Sequence, residues 1–210
     1  MQVYIARHGE TTWNVAGRYQ GRMESELSIL GVRQGMALAT ACAALEPPLE
    51  RVVSSPLTRC IATARFVGER LQLSVERDER LLEIAHGTWE GRLRDDIIAN
   101  DGARYRAWKE LPAEVAFPGG ETLADVRARW RAFAAAFDAA VPALIVTHDV
   151  VVRIAILEAQ GRGLEDLWNV RVQNGAYAIF EVDGARWTLV REIAAEHLAG
   201  LEARIETQAL

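Results

Sequence analysis

The amino-acid sequence predicts an α/β protein, a three-layer αβα sandwich built on a mainly parallel sheet. Short apolar runs that fit buried strands alternate along the chain with longer segments whose apolar residues recur at helical spacing. Half of the 210 residues are hydrophobic and a quarter are charged, which is typical of a globular protein. This length suits one α/β domain and is short for two, so we expect a single domain over residues 1–210.

Five segments have the length and apolar character of strands. The first three are short and continuously apolar, as in strands that are buried on both faces of a sheet. The last two are separated by Asp183 and Gly184, a pair that favours a tight turn between paired strands. The predicted strands cover residues 3–6, 52–53, 143–147, 176–182 and 187–193.

Segments with helical periodicity connect these strands. Ser55 is a suitable N-cap for the helix that follows the second strand, and Thr122 can form a variant of the capping box with Asp125. A pair of prolines ends the first long helix. The predicted helices cover residues 31–45, 56–71, 92–110, 123–137 and 149–160, and we also expect a helical tail beyond residue 194.

The composition excludes several classes of function. The chain has 24 Lys and Arg against 29 Asp and Glu, a net charge of −5, whereas nucleic-acid binding usually needs a basic face. No apolar run reaches the roughly 20 residues that a membrane helix needs, and the N-terminus lacks the basic and apolar regions of a secretory signal. Cys42 and Cys60 suggest neither a disulfide framework nor a zinc site. We therefore expect a cytoplasmic protein that binds neither nucleic acid nor membrane.

Basic and ionisable side chains follow three of the predicted strands. Arg7 and His8 come directly after the first strand. Arg59 lies about one helical turn after the second strand, and His148 directly follows the third. Because ligands of open α/β sheets bind beyond the carboxyl ends of the strands, we expect these side chains to converge. An imidazole can attack phosphorus while guanidinium groups hold the phosphoryl oxygens, so the pattern predicts a phosphate site.

Each of these residues also has a purely structural interpretation. An isolated arginine such as Arg59 is more often a surface or capping residue. A histidine in a Thr-His-Asp turn, such as His148, more often makes a local hydrogen bond. Their joint occurrence at the ends of predicted strands favours the functional interpretation.

Six segments follow one another in an order that is specific to one family. The first is Arg-His-Gly-Glu-Thr-x-Trp-Asn at residues 7–14, and the fourth joins Leu-Glu at residues 82–83 to Gly-x-Trp-Glu-Gly at residues 87–91. The others are Gly-Arg-Tyr-Gln-Gly at residues 17–21, Ser-Ser-Pro-Leu-Thr-Arg at 54–59, Pro-Gly-Gly-Glu at 118–121 and Val-Thr-His at 146–148. Over roughly residues 2–195 the chain thus resembles the histidine phosphatase superfamily, the phosphoglycerate mutase-like proteins, and the resemblance implies their fold.

The resemblance implies a covalent mechanism centred on His8. His8 would be the nucleophile that receives the phosphoryl group. Arg7, Arg59 and His148 would bind the phosphoryl oxygens. Glu83 would protonate the leaving oxygen and later deprotonate the water that releases phosphate. No metal ion or other cofactor is implied, because the two guanidinium groups and a protonated His148 would supply the positive charge.

The resemblance also implies a set of binding residues. Asn14, Gln20 and Gly21 match family positions that line the phosphate and substrate pocket. Asp149 stands where a glycine is common in the family. We assign Asp149 to the substrate-binding set; an acid at this position could also cap a helix or alter the affinity of His148 for dianions.

The loop after Glu83 favours hydrolysis over phosphoryl transfer within a substrate. Mutases of the family have a Glu-Arg-x-Tyr-Gly segment whose arginine helps to hold a doubly charged substrate, whereas here Glu83 is followed by Ile84. We therefore expect a metal-independent phosphomonoesterase that acts on a small phosphorylated metabolite and releases inorganic phosphate. A cofactor-dependent phosphoglycerate mutase and a non-catalytic phosphate-binding or interaction module are the alternatives.

The sequence does not identify the substrate. Specificity would lie in residues 18–28 and in a helical insertion around residues 92–117, which we place over the active site. His86 lies close to Glu83 in the sequence, although a structural role for it is favoured. Members of the family are often homodimers, and the sequence leaves the oligomeric state open.

Overall fold

A computed structural model describes residues 1–203 and 208–209 of the chain. A mixed sheet lies at its centre, and the strands of this sheet are β1 (Gln2–Arg7), β2 (Arg51–Ser54), β3 (Val75–Arg77), β4 (Ala143–Thr147), β5 (Tyr177–Asp183) and β6 (Arg186–Ala194). The strand order is β3-β2-β4-β1-β5-β6. The first four strands are parallel, and β5 and β6 extend one edge in antiparallel fashion. The predicted α/β class with a mainly parallel sheet is confirmed.

The helices of the described residues are α1 (Thr12–Val15), α2 (Ile29–Ala43), α3 (Thr58–Leu71), α4 (Arg94–Glu110), α5 (Leu123–Ala136) and α6 (Asp149–Gln160). Helix α5 begins with the predicted capping box, in which the Thr122 side chain accepts from the backbone of Asp125 and the Asp125 carboxylate accepts from that of Thr122. None of the helices in the described ranges is long and apolar enough to span a membrane.

Alternating side chains of the central strands build two separate cores, one on each face of the sheet. Val3 and Ile5 of β1 belong to a core that includes residues of α5 and α6. Tyr4 and Ala6 of the same strand belong to a second core with residues of α2 and α3. Because successive strand residues point to opposite faces, this division gives the three layers of an αβα sandwich.

The structure differs from the sequence-based expectation at several places, among them the short helix α1, which was not predicted. Strand β3 was not predicted, because it has only three residues and most of it is exposed. Ser55 does not cap α3: Leu57 occupies the N-cap position, and the Ser55 hydroxyl contacts His148 instead. The expected helical tail is reduced, in the described residues, to one 3-10 turn at Glu196–Leu198; residues 204–207 and 210 lie outside the described ranges.

Candidate active site

The carboxyl ends of β1, β2 and β4 meet at one edge of the sheet and open into a cleft. Arg7 of β1 is in register with Thr147 of β4, and Ser54 of β2 with Val146. Beyond the strands, the backbone N–H of His8 donates to the carbonyl of Thr147 (3.0 Å). The cleft has a volume of about 360 Å³, including the part open to solvent, and it is lined by Arg7, His8, Asn14, Gln20, Gly21, Arg59, Glu83, His86, Asp149, Val150 and Ala209.

The ring of His8 is buried and held in a tautomer that leaves Nε2 free to react. Nδ1 lies 2.7 Å from the backbone carbonyl of Gly9. Because a carbonyl can only accept a hydrogen bond, Nδ1 carries the proton and Nε2 keeps its lone pair. Burial, together with the charges of Arg59 and Arg7, lowers the pKa of His8 well below its usual value. The imidazole is therefore neutral at pH 7, the form that can attack phosphorus.

Arg7 and Arg59 are each held by hydrogen bonds from their Nη atoms. Arg7 donates from Nη1 to the carbonyl of Val172 (2.8 Å). Arg59 donates from Nη2 to the carbonyl of Gly21 (2.7 Å) and from Nη1 to that of Met23 (2.9 Å). The Nε–H groups of both arginines are buried and have no partner among the described residues. Since buried donors are nearly always satisfied, this pair of donors is the feature expected of a site that awaits an anion.

His148 packs against His8 without lining the cleft itself. The centroids of the two rings are 5.3 Å apart. Nε2 of His148 lies 2.7 Å from the hydroxyl of Ser55 and 3.4 Å from Sγ of Cys60. Burial, and secondarily Arg59, lowers the pKa of His148 well below its usual value. His148 is therefore neutral in the unliganded site, because it is buried beside fixed cations, and the charge that it would add if protonated is absent there.

The carboxyl group of Glu83 titrates near neutral pH. The residue is 8% exposed, and its Oε1 accepts a hydrogen bond from the backbone N–H of Ile84 (3.0 Å). Burial is the main cause that raises the pKa of Glu83 to about 7, and repulsion by Asp149 is the second. A carboxyl group with this pKa can both donate and accept a proton at pH 7.

The predicted binding residues Asn14, Gln20 and Gly21 all line the cleft. The side-chain oxygens of Asn14 and Gln20 accept hydrogen bonds from Thr11, so their NH2 groups are the atoms available to donate to a ligand. Gly21 has a φ of +50°, and a Cβ there would lie 2.1 Å from Oε1 of Glu90. Any other residue would be strained at this φ and would displace the Glu90 side chain, whereas the Gly21 carbonyl accepts a hydrogen bond from Arg59.

Asp149 lines the cleft, and its carboxylate is already paired with two arginines. Arg153, one turn further along α6, donates from Nε to Oδ2 (2.7 Å) and from Nη2 to Oδ1 (3.2 Å). Nη1 of Arg7 lies 3.2 Å from Oδ1. The alternative role as a helix cap is not observed, since the N-cap residue of α6 is His148 and the carboxylate is engaged elsewhere.

His86 reaches the cleft although sequence analysis favoured a structural role for it. Its ring is buried among aromatic rings, with Tyr19 and Phe117 at centroid distances of 5.0 and 4.8 Å. Both ring nitrogens are buried and have no partner among the described residues. Burial lowers the pKa of His86 to about 3, so the ring is neutral. Its closeness to Glu83 in the sequence was the one signal that could have indicated this position.

Gln208 is a site residue that no motif indicated. Its Oε1 accepts a hydrogen bond from Nη2 of Arg7 (2.7 Å), and its Nε2 donates to Oδ1 of Asn174 (2.8 Å). The neighbouring Ala209 lines the cleft. The described end of the chain therefore contributes directly to the surroundings of Arg7.

Comparisons with known proteins agree with this geometry. The family model of the histidine phosphatase superfamily (branch 1) matches residues 3–194. Phosphoserine phosphatase 1 of Hydrogenobacter thermophilus is 30% identical over 194 residues, which cover 91% of each chain. Glucosyl-3-phosphoglycerate phosphatase of Mycobacterium tuberculosis is 40% identical over 141 residues, or 67% of this chain and 62% of that one.

A solved structure supports the same assignment. YhfR of Bacillus stearothermophilus superimposes with a TM-score of 0.88 at 31% identity, and the match covers 94% of this chain and 98% of that chain. The family match includes the three strand ends that form the cleft. The chain therefore belongs to the histidine phosphatase superfamily (branch 1) and is a phosphatase enzyme.

Proposed function

We propose that this protein is a phosphomonoesterase that hydrolyses a small phosphorylated metabolite without a metal ion, through a phosphohistidine on His8. The observation that carries the proposal is the pair of buried, unpaired Nε–H donors of Arg7 and Arg59 in the cleft that also contains His8. These two guanidinium groups supply the fixed positive charge that a metal ion provides in other phosphatases.

In the first step, Nε2 of His8 attacks phosphorus, the nitrogen–phosphorus bond forms, and the ester P–O bond breaks. Arg7 and Arg59 stabilise the charge on the equatorial phosphoryl oxygens. Protonated Glu83 gives its proton to the leaving oxygen, so that a neutral alcohol departs. The Gly9 carbonyl, which accepts the Nδ1–H of His8, stabilises the positive charge that develops on the ring.

In the second step, water attacks phosphorus and the nitrogen–phosphorus bond breaks. Glu83, now ionised, takes a proton from the water. Inorganic phosphate leaves, and neutral His8 and protonated Glu83 are restored. A pKa of about 7 suits Glu83 for both steps, because neither proton transfer is then strongly uphill at neutral pH.

The relatives support the proposed substrate class. The two similar enzymes described above are named as phosphatases of phosphoserine and of glucosyl-3-phosphoglycerate, both small phosphorylated metabolites. We propose hydrolysis rather than mutase activity because Ile84 stands where the mutase segment would place a cation for a doubly charged substrate.

The test is phosphate release from an aryl phosphate and from a panel of cellular phosphomonoesters after treatment with a chelator. We expect activity to survive the chelator and to be lost in His8→Ala, while His197→Ala, a histidine outside the cleft, retains it. Activity that requires added metal would overturn metal independence. Conversion of 3- to 2-phosphoglycerate faster than phosphate release would establish the mutase. Phosphate-competitive binding without turnover across the panel would establish the non-catalytic module.

A further inference from the structure

We propose that Asp149 is a positioning residue for the reaction: held by Arg153, its carboxylate fixes the Arg7 guanidinium and repels the ionised form of Glu83 across the cleft. The inference rests on the proposed phosphatase mechanism and adds to it a residue that acts through two others. It also revises the sequence-based assignment of Asp149, because the carboxylate acts on Arg7 and Glu83 rather than on the substrate.

Asp149 lies beside the guanidinium group of Arg7. A guanidinium group has five N–H donors in a fixed plane. Nη1 donates to the carbonyl of Val172 (2.8 Å) and lies 3.2 Å from Oδ1 of Asp149, and Nη2 donates to Gln208 (2.7 Å). Nε–H is buried and has no partner among the described residues. The Asp149 carboxylate thus helps to hold the Nη end of the guanidinium group, while Nε–H remains without a partner.

The Asp149 carboxylate is itself held in place by Arg153. Arg153 holds both oxygens of Asp149, and Arg153 is anchored in turn by the carbonyls of Leu167 and Val170 and by the ring of Trp168, 4.9 Å from its guanidinium. Asp149 is 1% exposed. Burial opposes its ionisation, but Arg153 and Arg7 hold the pKa of Asp149 below its usual value. A carboxylate so placed is a fixed negative charge at the edge of the site.

Glu83 and Asp149 line the same cleft. After burial, Asp149 is the largest influence that raises the pKa of Glu83, while the hydrogen bond from Ile84 and the charges of Arg59 and Arg129 act in the opposite direction. The charged and titratable groups that face or influence Glu83 are Asp149 on α6, Arg59 and Cys60 on α3, Arg7 at the end of β1, Arg129 on α5, Arg22 at its backbone carbonyl and His86 in the same cleft. Removal of the Asp149 charge therefore favours ionised Glu83.

Loss of the Asp149 charge should change the pH dependence of kcat/KM in one direction. Glu83 must be protonated to start the reaction, so the rate kcat/KM falls as pH rises through the pKa of this group. In Asp149→Asn the repulsion is lost, Glu83 ionises at lower pH, and the alkaline limb of the profile moves to lower pH. A merely structural role of Asp149 would lower activity at every pH without moving the limb.

The experiment compares pH profiles of kcat/KM for the full chain and three variants. We expect the alkaline limb of Asp149→Asn to move down by at least about half a pH unit. The matched control is Asp166→Asn, which breaks the Arg162–Asp166 pair. This pair has the same four-residue spacing but lies at the surface, so we expect the control to leave the limb in place. The double variant Asp149→Asn/Arg153→Gln removes both charges of the buried pair and avoids an unpaired buried cation. It shows a smaller shift in the same direction, because loss of the Arg153 cation partly offsets loss of the Asp149 anion. An unmoved limb in folded Asp149→Asn and in the double variant would overturn the proposal.

A second measurement needs no turnover. The pKa of Glu83 is read by NMR from protein labelled with 13C at the glutamate carboxyl groups, and the signal is assigned with Glu83→Gln. A lower midpoint in Asp149→Asn than in the wild-type protein supports the proposal, and equal midpoints overturn it. If the wild-type protein releases no phosphate from any substrate, the proposed function fails, whereas this titration still decides the effect of Asp149 on Glu83.

Discussion

At the scale of single residues, burial shifts the pKa values of two site residues in opposite directions. Burial lowers the pKa of His8, so that the nucleophile is neutral, and raises the pKa of Glu83 to about 7, so that the acid retains its proton. The same environment thus moves two titratable groups into the forms that phosphoryl transfer needs. Arg7 and Arg59 remain as cations beside them, each with an unpaired Nε–H.

Replacement of Glu83 tests the role of the acid. Glu83→Gln keeps the shape of the side chain but cannot donate the proton to the leaving oxygen. We expect kcat/KM for an alkyl phosphate to fall by about 10²- to 10⁴-fold. For an aryl phosphate with an acidic leaving group the fall in kcat/KM is much smaller, because that group departs without protonation and kcat/KM does not include the later hydrolysis step. Steady-state kinetics with both substrates measure this difference, and equal losses would contradict the assignment.

Replacement of Gln208 tests the contribution of the chain end. Gln208→Ala leaves Nη2 of Arg7 and Oδ1 of Asn174 without the hydrogen bonds that they make in the wild-type protein. A lost hydrogen bond to a charged group costs about 1.5–3 kcal/mol, so we expect kcat/KM to fall by about tenfold or more. Gln160→Ala, at the exposed end of α6, is the control and leaves kcat/KM unchanged. Equal rates of Gln208→Ala and the wild-type protein would show that Arg7 is fixed without this contact.

The residues that the sequence predicted and those that it missed differ in how they reach the cleft. Arg7 is the last residue of β1 and His148 directly follows β4, so their positions follow from the strand pattern. Gln208 accepts a hydrogen bond from Arg7, which is 201 positions away in the sequence. The Asp149 carboxylate also pairs with Arg7, which lies outside its own helix. Such pairings depend on the tertiary fold, which local patterns do not contain.

At the scale of elements, local signals predict boundaries wherever a cap or a buried strand fixes them. Strand β4 and helix α6 begin and end at the residues expected from the sequence. Strand β3 escaped prediction because its three residues are mostly exposed and carry no apolar pattern. Serine is a residue type that often caps helices, but the hydroxyl of Ser55 contacts His148 in the folded protein. Tertiary contacts thus override local preference next to the site.

The cap of α5 gives a prediction about stability alone. In Thr122→Ala the backbone N–H of Asp125 loses its acceptor and the capping box is broken. We expect the free energy of unfolding to fall by about 1 kcal/mol. Thr122→Ser keeps the hydroxyl and retains most of that stability. Chemical denaturation measures both variants, and phosphatase activity below the transition stays unchanged. A loss in Thr122→Ser as large as in Thr122→Ala would contradict the capping explanation.

At the scale of the whole molecule, the buried histidines make stability depend on pH. His8, His86 and His148 are neutral in the folded protein because their pKa values are lowered by burial. As the pH falls below the ordinary pKa of histidine, about 6.5, the unfolded chain takes up protons on these histidines more readily than the folded protein does. Burial lowers the pKa of His197 as well. Glu83, whose pKa is raised to about 7, is protonated in the fold and ionised in the unfolded chain, so it acts in the opposite sense. Because the histidines outnumber this one carboxyl group, the unliganded protein becomes less stable as the pH falls through this range.

This balance gives a measurable slope. We expect the free energy of unfolding to rise with pH between about pH 5 and 6. His86→Phe removes one of the three histidines, and we expect the slope to fall by up to about 1.4 kcal/mol per pH unit. Urea denaturation across this range measures the slope of both proteins. A protein that becomes more stable on acidification, or an equal slope in His86→Phe, would contradict the account.

Covalent transfer of the phosphoryl group to His8 can be detected by rapid quench of the enzyme with a 32P-labelled phosphomonoester. We expect a protein-bound label that is stable in alkali, is lost in acid and maps to the peptide that contains His8. The label should form at least as fast as steady-state turnover and be absent in His8→Ala. Full turnover by the wild-type enzyme with no bound label, or with the label on another residue, would contradict it.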